Sequence, residues 1–255
     1  MNRPSTAPGP SATGQHIATS PETAFESPRV RLACAVVLTF TVTLLAAIAV
    51  TNRTRPTTSS TAGLLRQDQY SYLTHEGVQQ IKDNRRARFD LRDHTLTNEE
   101  AGVPPESTGE VIIGNPGDPD IDLTLVGPNG EVTISTQTIW FTHLDEDTFT
   151  EIVFWRAFDT PEGAQQELAQ ANPRWGIRPS KVETWTGIAK DAGDEKEKWN
   201  LGSGIGPTGL IVDMNASSKN GIQVFHYIVD LDPRNYNPVN LENIRTTGIG
   251  KRVVG

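Results

Sequence analysis

The chain has 255 residues, with 31 Asp and Glu against 23 Lys and Arg, a net charge of −8 and one cysteine. A surface of that sign repels polyphosphate, so nucleic acid is excluded as a partner. Cys34 has no second cysteine to pair with, and beyond it the chain holds no thiol for redox or nucleophilic chemistry.

Residues 1–28 are rich in Pro, Ser, Thr, Ala and Gly, and Ile17 and Phe25 are their exceptional large apolar side chains. Such a segment cannot bury enough surface to offset its ordering entropy, which predicts a disordered leader. Ser20-Pro21 and Ser27-Pro28 are its candidate modification or docking sites.

Residues 29–51 read as a transmembrane helix. The run at 32–50, LACAVVLTFTVTLLAAIAV, has no charge, Pro, Gly, Asn or Gln and is closed by Arg31 and Arg53. It meets the roughly 20 apolar residues needed to cross about 30 Å of hydrocarbon. The lipid bilayer is then the first partner. Ala47-Ile48-Ala49 has the small-x-small form of a cleavage site, but the long leader favours a retained signal-anchor over a cleaved signal peptide. Arg29 and Arg31 are matched by Arg53 and Arg55, so the flanking charges leave orientation nearly balanced. The Gly, Pro, Thr, Asn and Trp content of the larger part suits an extracytoplasmic domain. Cys34 lies at the start of the run, not after it, and follows Arg31 closely, which disfavours a lipidation signal and leaves an apolar side chain in a helix. Ala35, Thr39, Thr43 and Ala47 recur every four residues, a spacing that lets two such helices pair into a homo-oligomer, or that reflects ordinary helix composition.

Residues 52–107 are expected to be a linker and a possible helical stalk. The polar TRPTTSSTA stretch has no apolar period, and a helix is expected from 63 to about 88 with Leu65, Tyr72, Leu73, Val78, Ile81 and Phe89 as its apolar positions. Lys82, Arg85, Arg86, Arg88 and Arg92 interleave with Asp83, Asp90 and Asp93, the pattern of a solvated helix face. Residues 93–107, with Pro104-Pro105, read as loop.

Residues 108–255 are expected to form an α+β domain, a mostly antiparallel sheet with one packed helix. Short strands are expected at 111–113, 123–126 and 132–136, the last two joined by the turn Gly127-Pro128-Asn129-Gly130, with 139–141 extending the second. EIVFWRAF at 151–158 is apolar on both faces, as a covered central strand is. Thr160 and Pro161 then start a helix whose inward face is Ala164, Leu168 and Ala171, and Asn172-Pro173 is expected to stop it. Strands are expected at 182–188, 199–201 and 210–214, then at 222–231 after the Asn220-Gly221 turn, with a loop-like tail from Asp232.

No motif names a reaction. Gly204-Ile205-Gly206-Pro207-Thr208-Gly209 has the letters of a dinucleotide loop, but a strand-like run follows where a helix is required. Asp118, Asp120 and Asp122 begin like a calcium loop, yet Leu123 and Asn129 stand where Gly and Glu are needed. His75-Glu76 lacks the second histidine of a zinc site. No metal and no cofactor is therefore expected. His143 lies beside the acidic turn of Asp145, Glu146 and Asp147, whose adjacent carboxylates point apart. His226 shares a strand face with Asp230, but about 13 Å separates two strand positions four residues apart.

The expected function is a membrane-anchored, extracytoplasmic, non-catalytic binding or scaffolding module of the cell envelope, contacting another envelope protein or a wall component. All five tryptophans, Trp140, Trp155, Trp175, Trp185 and Trp199, fall in the folded part. Trp155, Trp175 and Trp185, with Arg156 and His226, are the candidate contact residues. The alternative is an extracytoplasmic hydrolase with a site near His226 and Arg156, so enzyme activity stays open but without a motif.

Overall fold

The computed structural model describes residues 69–104, 109–143, 147–191 and 196–251, all inside one unit, Ser60–Gly255. The leader, the apolar run with Cys34, Ala35, Thr39, Thr43 and Ala47, the polar linker, and Asp145 and Glu146 lie outside the described residues. Among the described residues no helix is long and apolar enough to cross a membrane.

The first described helix, α1 (His75–Asn84), is capped by Thr74, whose side chain accepts the Gly77 N–H. It is far shorter than the expected helix from 63 to 88. Arg85 takes a left-handed backbone (φ 54) and ends it, and Arg86–Asp90 becomes strand β1. Ala87 and Phe89 alternate into the core there, and Leu73 and Ile81 join them, so this stretch is part of the folded unit rather than a stalk. The basic residues do not share a helix face: Arg85 donates to the Pro119 carbonyl, Arg88 pairs with Glu131, and Arg92 pairs with Asp90. The expected loop at 93–107 carries β2 (Leu96–Thr97) and a single helical turn, α2 (Asn98–Ala101). Thr97 and Glu100 form a reciprocal capping box that starts that turn.

The remaining elements are β3 (Glu110–Ile113), β4 (Ile121–Gly127), β5 (Gly130–Thr136), β6 (Thr138–His143), β7 (Thr148–Phe158), α3 (Pro161–Trp175), α4 (Pro179–Asp191), β8 (Glu197–Ile205), β9 (Ile211–Lys219), β10 (Ile222–Asp230), a 3-10 turn (Pro233–Tyr236) and α5 (Pro238–Thr247). The fold is α+β. A three-stranded sheet runs β1-β4-β5, with β1 parallel to β4, and an antiparallel sheet runs β3-β6-β7-β10-β9-β8 with β2 beside β7. Gly127 pairs with Gly130 across the expected hairpin, and Asn220 (φ 52) with Gly221 (φ 79) makes the next one, both in the left-handed conformation such a tight turn requires. β7 is central, as its two apolar faces imply, between β6 and β10. Residues 139–141 do not extend β5; they belong to β6, in the other sheet.

One face of the large sheet carries the core. Ile139, Phe141, Ile152, Phe154, Phe225, Tyr227, Val229 and Met214 are all buried. The small sheet covers this face through Phe89, whose ring lies 4.8 Å from that of Phe141. Helix α3 covers it with Ala164, Leu168, Ala171 and Trp175, the Trp175 ring lying 6.0 Å from Phe154 and 5.7 Å from Tyr227. Thr160 caps α3 as expected, but Pro173 does not stop it. The helix runs on to Trp175 and ends at Gly176 (φ 73), whose N–H and that of Ile177 satisfy the last carbonyls. The expected strand at 182–188 is instead part of helix α4, so two long helices rather than one pack on the sheet. Val182, Trp185, Ile188 and Ala189 recur at helical spacing, and Trp185 is fully buried with its Nε1–H donating to Gln223 at 3.1 Å.

Candidate binding face

The other face of the large sheet is built by the alternating residues that the core does not take. On β10, Phe225, Tyr227 and Val229 are buried whereas Val224, His226 and Ile228 are only half-buried. Register extends that second face across the strands. Ile112, Trp140, Val153, Ile228, Asp213 and Ser203 form one row, and Thr138, Trp155, His226, Asn215 and Asn200 form the next.

Its β6–β7 side is aromatic and aliphatic. The Trp140 and Trp155 rings lie 6.3 Å apart, and the His226 ring meets Trp155 edge-on at 5.4 Å. Ile112, on the neighbouring edge strand, is 41% exposed. Towards β8 the face becomes polar: Asn200 donates to the Asn215 side-chain oxygen at 3.0 Å, and Ser203 donates to Asp213. His226 sits at the junction, and burial pushes its pKa down to about 4, so the ring is neutral at pH 7. A neutral imidazole between Trp155 and Asn215 offers one donor and one acceptor and no charge.

The five expected contact residues divide between the two faces. Trp155 and His226 are neighbours on the half-exposed one. Trp175 and Trp185 are sealed in the core, at 1% and 0% exposure, and form no surface. Arg156 follows Trp155 and therefore projects to the opposite face, where it pairs with the buried Glu167 on α3 and lies 5.1 Å over the Phe158 ring. Arg156 and His226 thus do not converge, and the site expected for a hydrolase is not assembled. Asp230 serves its own loop, accepting from the Asp232 N–H at 2.9 Å and from the Asn235 side chain at 2.8 Å. Trp140, which the sequence named among the five tryptophans but not among the contact residues, and Asn215, which it did not single out, also belong to the face; their grouping follows from the period-two alternation of each strand and is legible only once register is known.

The remaining candidates serve structure. Gly204 and Gly206 lie where β8 passes the end of α3: a Cβ on Gly204 would overlap the Trp175 carbonyl oxygen, and one on Gly206 that of Arg174. Strand β9 follows, so these glycines answer a close backbone approach rather than a pyrophosphate. Asp118 accepts from the Asn115 N–H and side chain, whereas Asp122 accepts from the Ser135 hydroxyl. His143 is held between the Gly109 carbonyl and Asn98, both at 2.7 Å. A groove of about 420 Å³ along α5 is lined by the amides of Asn237, Asn240 and Asn243 together with Glu242, Thr246 and Lys251. Among the described residues no three His, Cys, Asp or Glu side chains are grouped to hold a metal ion.

No protein-family model, curated protein or solved structure matches the chain.

Proposed function

We propose that the protein is a membrane-anchored, extracytoplasmic binding module of the cell envelope, held by the single apolar run at 32–50 and engaging an envelope protein or a wall component through the Trp140-Trp155-His226 face. One observation carries the reading. One face of the sheet carries the buried core while the other keeps many half-buried side chains, and the β6–β7 side of that second face presents two tryptophans, a histidine and Ile112 where a solvated sheet would carry short polar side chains. Aromatic side chains of this kind dominate binding energy where a partner desolvates them. Self-pairing of the apolar run through Ala35, Thr39, Thr43 and Ala47 would give a homo-oligomer carrying one such module per chain.

A photo-crosslinking amino acid placed at Trp155 in the full-length chain, in its native membrane, is expected to capture a partner that the same group at Gln166, an exposed position of α3, does not capture. Equal capture from both positions, or none from Trp155, overturns the assigned face. On intact cells, external protease is expected to digest the folded unit; its survival until lysis overturns the extracytoplasmic placement.

A further inference from the structure

The two rows of the outer sheet face differ in chemistry. Thr138, Trp155, His226, Asn215 and Asn200 cross β6, β7, β10, β9 and β8 in one line, and the only ionisable member, His226, is neutral at pH 7. Every other member of the row carries an uncharged hydrogen-bonding group.

Three of these side chains have polar groups to spare. Trp155 and His226 are half-buried, and among the described residues neither the Trp155 Nε1–H nor either His226 ring nitrogen has a hydrogen-bond partner. The Trp140 Nε1, by contrast, is fully buried. Asn200 donates to the Asn215 side-chain oxygen at 3.0 Å, and its own side-chain oxygen accepts the Gly202 N–H at 2.6 Å. The Asn215 amide is thereby fixed with its oxygen towards β8, and its Nδ2 hydrogens are left for another acceptor. Beside these residues, on the side away from Trp140, stand Ala157, Val224 and Ser217. Nothing larger than a valine flanks the Trp155 and His226 rings there, so the row borders a shallow trough.

We propose, resting on the binding-face reading above, that this row binds a neutral glycan, an extended chain of pyranose units laid across β7, β10 and β9 with one ring on Trp155 and the hydroxyls of the next bonded to His226 and Asn215.

A pyranose ring has C–H bonds on its faces and hydroxyls around its rim. The C–H groups carry the partial positive charge that the negative face of an indole attracts. Each hydroxyl both donates and accepts, and therefore meets the Trp155 N–H, the Asn215 amide and His226 in either tautomer. Strands lie about 4.8 Å apart, so the three side chains offer their groups at a step close to the advance of one ring along an extended pyranose chain. An anionic ligand finds no cation in the row and is repelled by the net charge of −8. The charged side chains that flank the row lie towards β8, where Ser203 bonds Asp213 and Lys198 stands opposite Ser217. An added protein strand would need open backbone groups, which the middle of a sheet does not offer.

Saturation-transfer NMR on the full-length chain in nanodiscs, which avoid sugar-headed detergents, tests the assignment with chitotetraose and cellotetraose, and with tetragalacturonate as the anionic control. At least one neutral tetramer is expected to bind, with saturation strongest on its ring C–H protons, and tetragalacturonate is not. Trp155→Ala is expected to weaken binding at least about tenfold, as loss of an aromatic anchor does, and Asn215→Ala about three- to tenfold, as loss of one neutral hydrogen bond does. Gln166→Ala, at an exposed position of α3, is expected to leave it unchanged. Failure of both neutral tetramers to bind overturns the glycan, as does equal binding of tetragalacturonate or undiminished affinity in both face variants. If Trp155→Ala does not fold, Asn215→Ala decides, because it removes only an amide from a half-buried position. Capture of a protein by the photo-crosslinker at Trp155 while neither neutral tetramer binds removes the glycan and keeps the face; no capture and no binding removes both.

Discussion

Replacing Glu167 with alanine is expected to lower the unfolding free energy by about 3–5 kcal/mol, the range for a broken buried ion pair. The reason lies in what surrounds its carboxylate. Glu167 is 4% exposed on the inner side of α3. One of its oxygens accepts the Tyr227 hydroxyl at 2.6 Å and the other accepts Arg156, with the Arg174 guanidinium at 3.8 Å. Burial and the neighbouring carboxylate push the Tyr227 hydroxyl well above its ordinary pKa, so it remains a donor. Alanine would leave that donor and two partly buried guanidiniums without their acceptor. Arg174→Ala removes only the longer contact and is expected to cost about 1 kcal/mol. Urea unfolding with an unchanged slope measures both losses. Near-equal values for the two variants would show that the carboxylate is not the centre of the cluster.

Gly204→Ala and Gly206→Ala are each expected to destabilise by about 2–3 kcal/mol, the upper part of the range for forcing volume into a packed site. The atoms that a new Cβ would strike are the backbone carbonyls of Trp175 and Arg174, which cannot turn aside as a flexible side chain can. The end of α3 would have to lift from β8, and with it Trp175, which packs on Phe154 and Tyr227. Gly187, within α4, has open space around its Cβ position. There alanine is expected to stabilise by about 0.5–1 kcal/mol through helix propensity and a less free unfolded chain. Thermal unfolding of the three variants should separate in sign. A common shift would mean that the close approach at β8 relaxes without cost.

The elements that the sequence made legible are those with local causes. Thr160 and Pro161 start α3 because a hydroxyl acceptor and a fixed φ act within one turn. Gly127 to Gly130 and Asn220-Gly221 make their turns because the backbone there needs those residues. EIVFWRAF gave a central strand because a run apolar on both faces suits no other place in a sheet. The misread elements turn on distant contacts. Val182, Thr184, Thr186 and Ile188 favour a strand locally, but burying Trp185 against Gln223 makes 179–191 helical. Pro173 is tolerated because the last turn of α3 is satisfied through Gly176 and anchored by Trp175. The half-exposed face was legible only as a list of tryptophans, and three-dimensional placement kept Trp155 while removing Trp175 and Trp185.

The sequence by itself determined the Gly127 to Gly130 and Asn220-Gly221 turns, the Thr160 cap, the apolar run at 32–50 as a candidate anchor, and the α+β class with a mostly antiparallel sheet. Each follows from residue chemistry acting over a few positions. Only the tertiary structure decided that Arg156 and His226 lie on opposite faces, that two glycines serve a backbone crossing, and that Trp155, His226 and Asn215 share one row. Strand register and helix docking set those relations, and they join residues far apart in the chain, where no local rule reaches.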